Sequence, residues 1–365
     1  MRFPEFEGEW KKKKLGDIAN ITGGGTPNTD IEEYWNGEIH WFTPSEIKSA
    51  YVDKSVRTIT ELGLVKSSAK LLPAGAILLT TRATIGEVAI AQKECCTNQG
   101  FQSLVVNDGI NNIFIANWIK QNKNELTKRA KGSTFAEISK SEVEKIPLVI
   151  PNTDEQNKIA KFLTLLDERI ATQNKIIEQY KSLIKGIYTY LLGKSDKYRK
   201  LGEFCQIKKG EQINRTELLD DDKYYVMNGG ITPSGFHHSY NTKANTISIS
   251  EGGNSCGYVQ YNDVPFWSGG HCYTLEDIDK DIDGRYLFHY LKASEPQIMA
   301  LRIGSGLPNI QKKDLSHFCI LMPSLLNQKE ISDTLDKIML KIELEKSAIL
   351  VYQKQKIYLL QNLFI

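Results

Sequence analysis

Cysteine is scarce and scattered. The chain has six, with no C-x-x-C among them and one vicinal pair at Cys95 and Cys96. That spacing argues against a disulfide framework and a zinc site, and it fits a reduced, cytoplasmic protein. No run of roughly 18 apolar residues occurs, so no membrane span is expected, and the mean hydropathy is negative. The N-terminus lacks the basic-then-apolar pattern of a signal peptide. An excess of one charge is also missing, since the net charge is only +2. Such a total neither favours nor excludes nucleic acid, because local patches decide. The glycines Gly23, Gly24 and Gly25 are not followed by Gly-Lys-Ser/Thr, so they form no phosphate-binding loop. No metal site and no directly bound cofactor is expected.

What is present is ordinary globular composition over a long chain. Hydrophobic residues make up 41% and charged residues 25% of 365, enough to bury at least two cores. The stretch from Glu155 to Leu192 carries the clearest pattern. Ile159, Leu166, Tyr180 and Ile187 fall on one heptad row. Leu163, Ile170, Ile177, Ile184 and Leu191 fall on a second, four residues out of phase. That is a coiled-coil seam held over about five heptads, with one polar place, Gln173. Pro151, Asn152 and Thr153 precede it, with Glu155 and Gln156 placed for a capping box.

The same seam returns at the C-terminus. Ile331, Ile338, Tyr352 and Leu359 form one row; Leu335, Ile342, Ile349 and Leu363 form the other, with Lys356 filling its remaining place. Each position lies 172 residues after its counterpart, so Glu345 answers Gln173. The preceding segments match too. LGEFCQIKKGEQI matches LGDIANITGGGTP, NTISISEGGNSCGYV matches AILLTTRATIGEV, and FWSGGHCYTL matches TNQGFQSLVV. The chain is a two-fold repeat of one unit, an α/β domain followed by a long helix.

The coarse order within the first copy is strand-dominated. Lys11 to Lys14 read as a solvated, frayed terminus. Strands are expected around Ile77 to Leu79, Val88 to Ile90 and TNQGFQSLVV, with a polar turn presenting Arg82. A helix is expected up to Gly132, then a short turn-helix and a strand before Pro151. The fold class is therefore α+β (mixed α/β). Two pseudo-symmetric domains would be separated by two long antiparallel coiled-coil helices. The expected boundaries are 1–151 for the first domain, 152–193 for the central helix, 194–323 for the second domain and 324–365 for the C-terminal helix. Gln173 and Glu345 should meet at mid-helix and fix register. A rod of roughly 38 residues would span about 57 Å, which suits an extended target with two half-sites, DNA foremost.

The pattern GGGTPNT, YWNGEIHWFTPSEI, TTRATIGEVAIA, NQGF, GST, IPLVIP and EQNKIA resembles the specificity (S, HsdS) subunits of type I restriction–modification systems. GGITPSG, ISISEGGNSCGYV, FWSGGHCYTL, GSGLPNI and PSLLNQKEI are similar to the second target-recognition domain of that family. The resemblance covers nearly the whole chain, and its strength lies in the duplicated order. It implies a non-catalytic DNA reader, each domain reading half of a bipartite double-stranded site. It implies docking of two methylation subunits, which carry S-adenosylmethionine, and of restriction subunits using ATP and Mg, in a defence against foreign DNA. Two departures stand out: Met339 where Asp167 stands in the first copy, and Lys356 where Ile184 stands. The start at Arg2-Phe3-Pro4 is short beside the family, and a few preceding residues are expected.

Readout needs donors and acceptors facing a groove and cations facing phosphates. The candidates in the first domain are Gly24, Thr26, Thr80, Thr81, Arg82, Lys131, Ser133 and Thr134. Those in the second are Lys208, Lys209, Ser250, Asn254, Arg302 and Ser305. Glu251 reads better as a turn residue than as a cytosine acceptor. His237, His238 and His271 read as loop or packing residues, and Trp35, Trp41 and Trp267 as core or rim aromatics. Phe162, Leu165, Ile176, Leu344, Leu350, Ile357 and Leu360 lie off the seam and suggest further helices packing there. The competing readings are a stand-alone methyltransferase or nuclease and a scaffold for proteins. The first lacks an Asn/Asp-Pro-Pro-Tyr/Phe pocket and a Gly-rich cofactor loop after a strand.

Overall fold

The structure is a computed structural model and describes residues 2–131, 136–192, 197–304 and 308–364. The chain divides into two compact units, Met1–Thr172 with Ala348–Ile365, and Gln173–Ser347. Each unit takes part of both long helices, Thr153–Leu192 and Leu325–Leu363. The compact bodies thus cut across the four segments expected from sequence. Residues 193–196, around the expected boundary between the central helix and the second domain, lie outside the described residues.

In unit 1 the main sheet has five strands in the order Ala19–Gly23, Gln102–Val106, Ile77–Leu79, Val88–Ala91 and Tyr51–Val52. All neighbours are antiparallel except the last pair. The central strand Ile77–Leu79 and its neighbour Val88–Ala91 are buried throughout, as apolar runs covered on both faces must be. A second sheet joins Arg57–Ile59, Trp35–Phe42 and Cys95–Thr97. Trp35 and Trp41 meet edge to face at 5.1 Å in its core, matching the core reading of both. The vicinal thiols are buried there, and desolvation pushes both up to about 12, so neither is reactive at neutral pH.

The basic run Lys11–Lys14 is not frayed. It pairs antiparallel with Pro147–Ile150 while all four side chains stay in water. Backbone pairing is indifferent to side-chain charge, which is why a charge run gave no strand signal. The expected helix up to Gly132 is interrupted at Asn122, giving Asn112–Gln121 and Lys123–Arg129.

In unit 2 the main sheet runs Gln206–Lys209, Cys272–Glu276, Thr246–Ser250, Val259–Asn262, all antiparallel. That is the order of the first four strands of unit 1. Tyr198–Lys200 pairs with Cys319–Leu321 where unit 1 pairs its basic run. A three-stranded sheet holds Gly235–His237, Tyr224–Met227 and Trp267–Ser268. The repeat read from sequence is therefore a repeat of strand register.

The long helices start alike. Gln156 Oε1 accepts from Asn111 N at 3.0 Å and its Nε2 donates to Pro151 O at 3.0 Å. Gln328 does the same to Asp283 N at 2.9 Å and Pro323 O at 3.0 Å. Asn152 caps the middle helix by accepting from Glu155 N at 2.9 Å. The Glu155 carboxylate, wholly buried, turns instead to Arg2 at 2.7 Å. Every described seam position on both helices is buried or half-buried. In unit 1 the helices run antiparallel, because Asp167 pairs with Lys356 while Arg169, farther along, lies 5.8 Å from the earlier Tyr352 ring. Leu359 and Leu363 there join Ile159 and Leu163 in the main core.

Candidate nucleic-acid interface

The polar candidates gather where the main sheet of each unit meets its loops. In unit 1 the turn after Ile77–Leu79 is held by main-chain bonds. Thr81 N donates to Gly100 O at 2.8 Å, and Ile138 N donates to Thr81 O at 3.2 Å. Thr80 and Thr81 have no exposed surface. The Thr80 hydroxyl is engaged with Thr84 O, and that of Thr81 donates to Gly100 O at 3.4 Å. Both hydroxyls are therefore spent within the turn, which they shape. Arg82 emerges from it, half-exposed and paired with Glu137 Oε2 at 2.7 Å. Ala83 follows at φ 59°, a strained conformation for a residue with a side chain. Such an exposed pair is worth about 0–1 kcal/mol, so Arg82 can exchange Glu137 for a phosphate or a base. Lys131 is exposed and bridges Glu137 through the backbone, which brings Arg82, Lys131 and Glu137 together. Ser133 and Thr134 lie outside the described residues.

Gly24 and Thr26 flank the same edge, but the glycines serve the chain itself. A side chain on Gly24 would collide with the carbonyl oxygens of Thr97 and Asn98. Gly25 accepts the Trp41 indole N–H at 2.8 Å. Thr26 Oγ1 is half-buried and donates to Gln99 Oε1 at 2.5 Å. The backbone of this turn thus packs closely against its own neighbours.

In unit 2 the equivalent edge is more charged. Lys209 Nζ lies 2.6 Å from Glu251 Oε1, and Lys208 Nζ lies 3.7 Å from Glu276. Ser250 is buried, its hydroxyl donating to Gly229 O at 2.6 Å and so spent within the scaffold. Asn254 and Arg302 are exposed. Ser305 lies outside the described residues. The Tyr273 hydroxyl donates within 3.0 Å of Glu251. Burial first, and then the Glu251 charge, raise that hydroxyl above the usual phenol range, so it remains a donor. Lys209, Asn228, Glu251, Asn254, His271 and Asn309 face one groove of about 600 Å³. Glu251 and His271 were not selected from sequence. The repeat held the signal, because Glu251 stands where unit 1 has Thr81. His237 is packed by His238 at 4.0 Å and Trp267 at 4.7 Å, as a packing residue should be. Among the described residues no cluster of His, Cys, Asp and Glu could hold a metal ion.

Along the helices, Gln173 is buried and Glu345 half-buried. No hydrogen bond joins the two side chains among the described residues. Of the off-seam apolar residues, Phe162 packs on Phe3 at 6.0 Å and Leu360 packs against the unit 1 core. Leu165, Leu344, Leu350 and Ile357 stay more than half exposed. No helix is long and apolar enough to cross a membrane among the described residues.

Comparison with known proteins bears on this arrangement. The family model described as "Type I restriction modification DNA specificity domain" matches residues 7–182 and again residues 195–351. The MjaIX specificity subunit of a Methanocaldococcus jannaschii type I restriction enzyme is 27% identical, over 97% of this chain and 92% of that protein. The EcoprrI specificity subunit from Escherichia coli is 25% identical, over 91% of this chain and 87% of its own length. The crystal structure of a type I restriction–modification S subunit from M. genitalium superposes with a TM-score of 0.71 at 20% identity, covering 100% of this chain and 99% of that one.

Proposed function

The chain belongs to the type I restriction modification DNA specificity family, and from that premise we infer that it is the sequence-specific DNA-binding subunit of a type I restriction–modification complex. One observation carries the reading: the family match occurs twice, on two units whose main sheets share one strand order. Two copies of a reading module in one chain suit a site made of two half-sequences. The subunit is not itself an enzyme; catalysis belongs to the complex.

The finer reading is that each unit reads one half-site and that the two long helices act as spacer. The exposed apolar residues Leu165, Leu344, Leu350 and Ile357 support docking of methylation subunits on those helices, with restriction subunits joining the assembly. S-adenosylmethionine and ATP would then be bound by the partners.

The test uses the chain assembled with its methylation subunits. The modified motif is found by sequencing the methylome of a host expressing both, and a duplex carrying it competes in a mobility assay against random duplex. One bipartite duplex should compete far better, and affinity should fall linearly on a log–log salt plot. Equal competition by every duplex would remove the reading and leave the scaffold alternative. Methylation by the chain alone would favour the stand-alone enzyme.

A further inference from the structure

The two units share a strand register but differ in chemistry at one place. Lys209 stands opposite Tyr273 in unit 2, as Gly23 stands opposite Gln102 in unit 1. Glu251 N donates to His271 O at 2.9 Å, as Thr81 N donates to Gly100 O at 2.8 Å. Glu251 O accepts from Ile310 N at 2.8 Å, as Thr81 O accepts from Ile138 N at 3.2 Å. Unit 1 thus carries glycine, threonine and glycine where unit 2 carries Lys209, Glu251 and His271. The scaffold does not require a charged set there, since unit 1 builds the same sheet without one.

The set is organised around a covered carboxylate. The Glu251 side chain is only 10% exposed. It takes Lys209 Nζ at 2.6 Å and the Tyr273 hydroxyl at 3.0 Å, with His271 Nδ1 3.7 Å from its other oxygen. A carboxylate this covered must be paired, and the pairing largely cancels the lysine charge. Lys209 is therefore a weak counterion for phosphate but a well-aimed donor. An ammonium has three donors; Glu251 takes one, and Lys209 lines the open groove with the rest. The rim of that groove includes Gly229, Gly230, Gly252 and Gly253. Gly253 sits at φ +75°, and a side chain there would meet nothing within 4 Å, so the wall is low. Donors presented from one point over a low rim match two adjacent acceptors on one base edge. In the major groove that edge is guanine, with N7 and O6.

We propose that Lys209, aimed by Glu251, is a specificity-determining residue that reads a guanine in the half-site belonging to unit 2. Glu251 is a positioning residue. The assignment rests on the DNA-reading function above. The reconstituted complex, with the original chain, Lys209→Met or Glu251→Gln, is offered duplexes in which each position of the bipartite site is randomised in turn. Lys209→Met should lose about tenfold preference at one G·C pair, with other positions and the salt slope unchanged. Glu251→Gln should relax the same position and steepen the salt dependence, because it frees the lysine charge. Uniform weakening on all duplexes with a salt slope lower by about one would mark a phosphate contact and overturn the assignment. An unchanged base profile would do the same. If the original complex shows no base preference anywhere, the DNA-reading function falls and takes this assignment with it; a normal profile for the original chain confines the failure to Lys209.

Discussion

His289 is 1% exposed inside unit 2. Its Nε2 lies 2.8 Å from Asp336 Oδ1 and its Nδ1 lies 3.2 Å from the Tyr188 hydroxyl. A neutral ring satisfies both, with Nε2–H donating and Nδ1 accepting. Burial lowers its pKa from the usual 6.5, with Asp336 opposing. Between that lowered value and about 6.5 the unfolded chain binds more protons than the folded one, so stability rises with pH and is lost on acidification. Calorimetry of the full chain should show the melting temperature falling as pH drops below about 6.5. His289→Gln, which keeps a donor and an acceptor, should flatten that fall; parallel profiles for the two proteins would refute the role. The unit 1 counterpart is Asn117, which donates to Ile113 O at 2.9 Å. The residue scale was the least legible in sequence. Thr80 and Thr81 look like ready donors in a polar turn, yet both are wholly covered. A hydroxyl satisfied by local carbonyls is as content inside as outside.

The long helices show the opposite. Heptad spacing located both seams, since a 3.5-residue period is a local property of the chain. It also flagged Asp167 and Lys356 as two separate departures from the repeat. The structure joins them: the two form one salt bridge in unit 1, with 35% and 18% of the side chains exposed. Their counterparts across the repeat, Met339 and Ile184, are both apolar and half-buried in unit 2. One copy thus uses a charged pair where the other uses an apolar one. Lys120 is lowered by burial and then by Lys356, so Asp167 offsets two cations. Removing one partner of a half-buried pair costs less than the loss from a fully buried one. Asp167→Met should destabilise by about 2 kcal/mol. Adding Lys356→Ile, which copies the unit 2 chemistry, should recover most of it. Denaturant melts of the single and double variants read this directly, and additive losses would show that the residues are not coupled.

For the whole molecule, the proposed spacer role makes a length prediction. One heptad added to both long helices lengthens each by about 10.5 Å, about three base pairs at 3.4 Å rise. The methylome of a host carrying the doubly extended chain should show both half-sites unchanged and the gap altered by about three base pairs. A heptad in one helix alone should abolish specific modification, because the seam loses register. An unaltered gap in the double insertion would end the ruler idea.

The amino-acid order alone determined the duplication, the two long helices, the central strands of the main sheet and the family. These rest on periodicity and on repeated segment order, at a constant shift of 172 along the long helices, which need no knowledge of what lies nearby. Only the tertiary structure decided which polar groups are covered. It ordered Lys11–Lys14 through a strand 136 residues away, pairing Lys11 with Ile150 and Lys14 with Pro147. It joined Asp167 to a lysine 189 residues distant, and it set Glu251 under Lys209. The reason is physical: burial and charge pairing depend on neighbours in space, and those neighbours are chosen by strand register and helix packing, which no local pattern records.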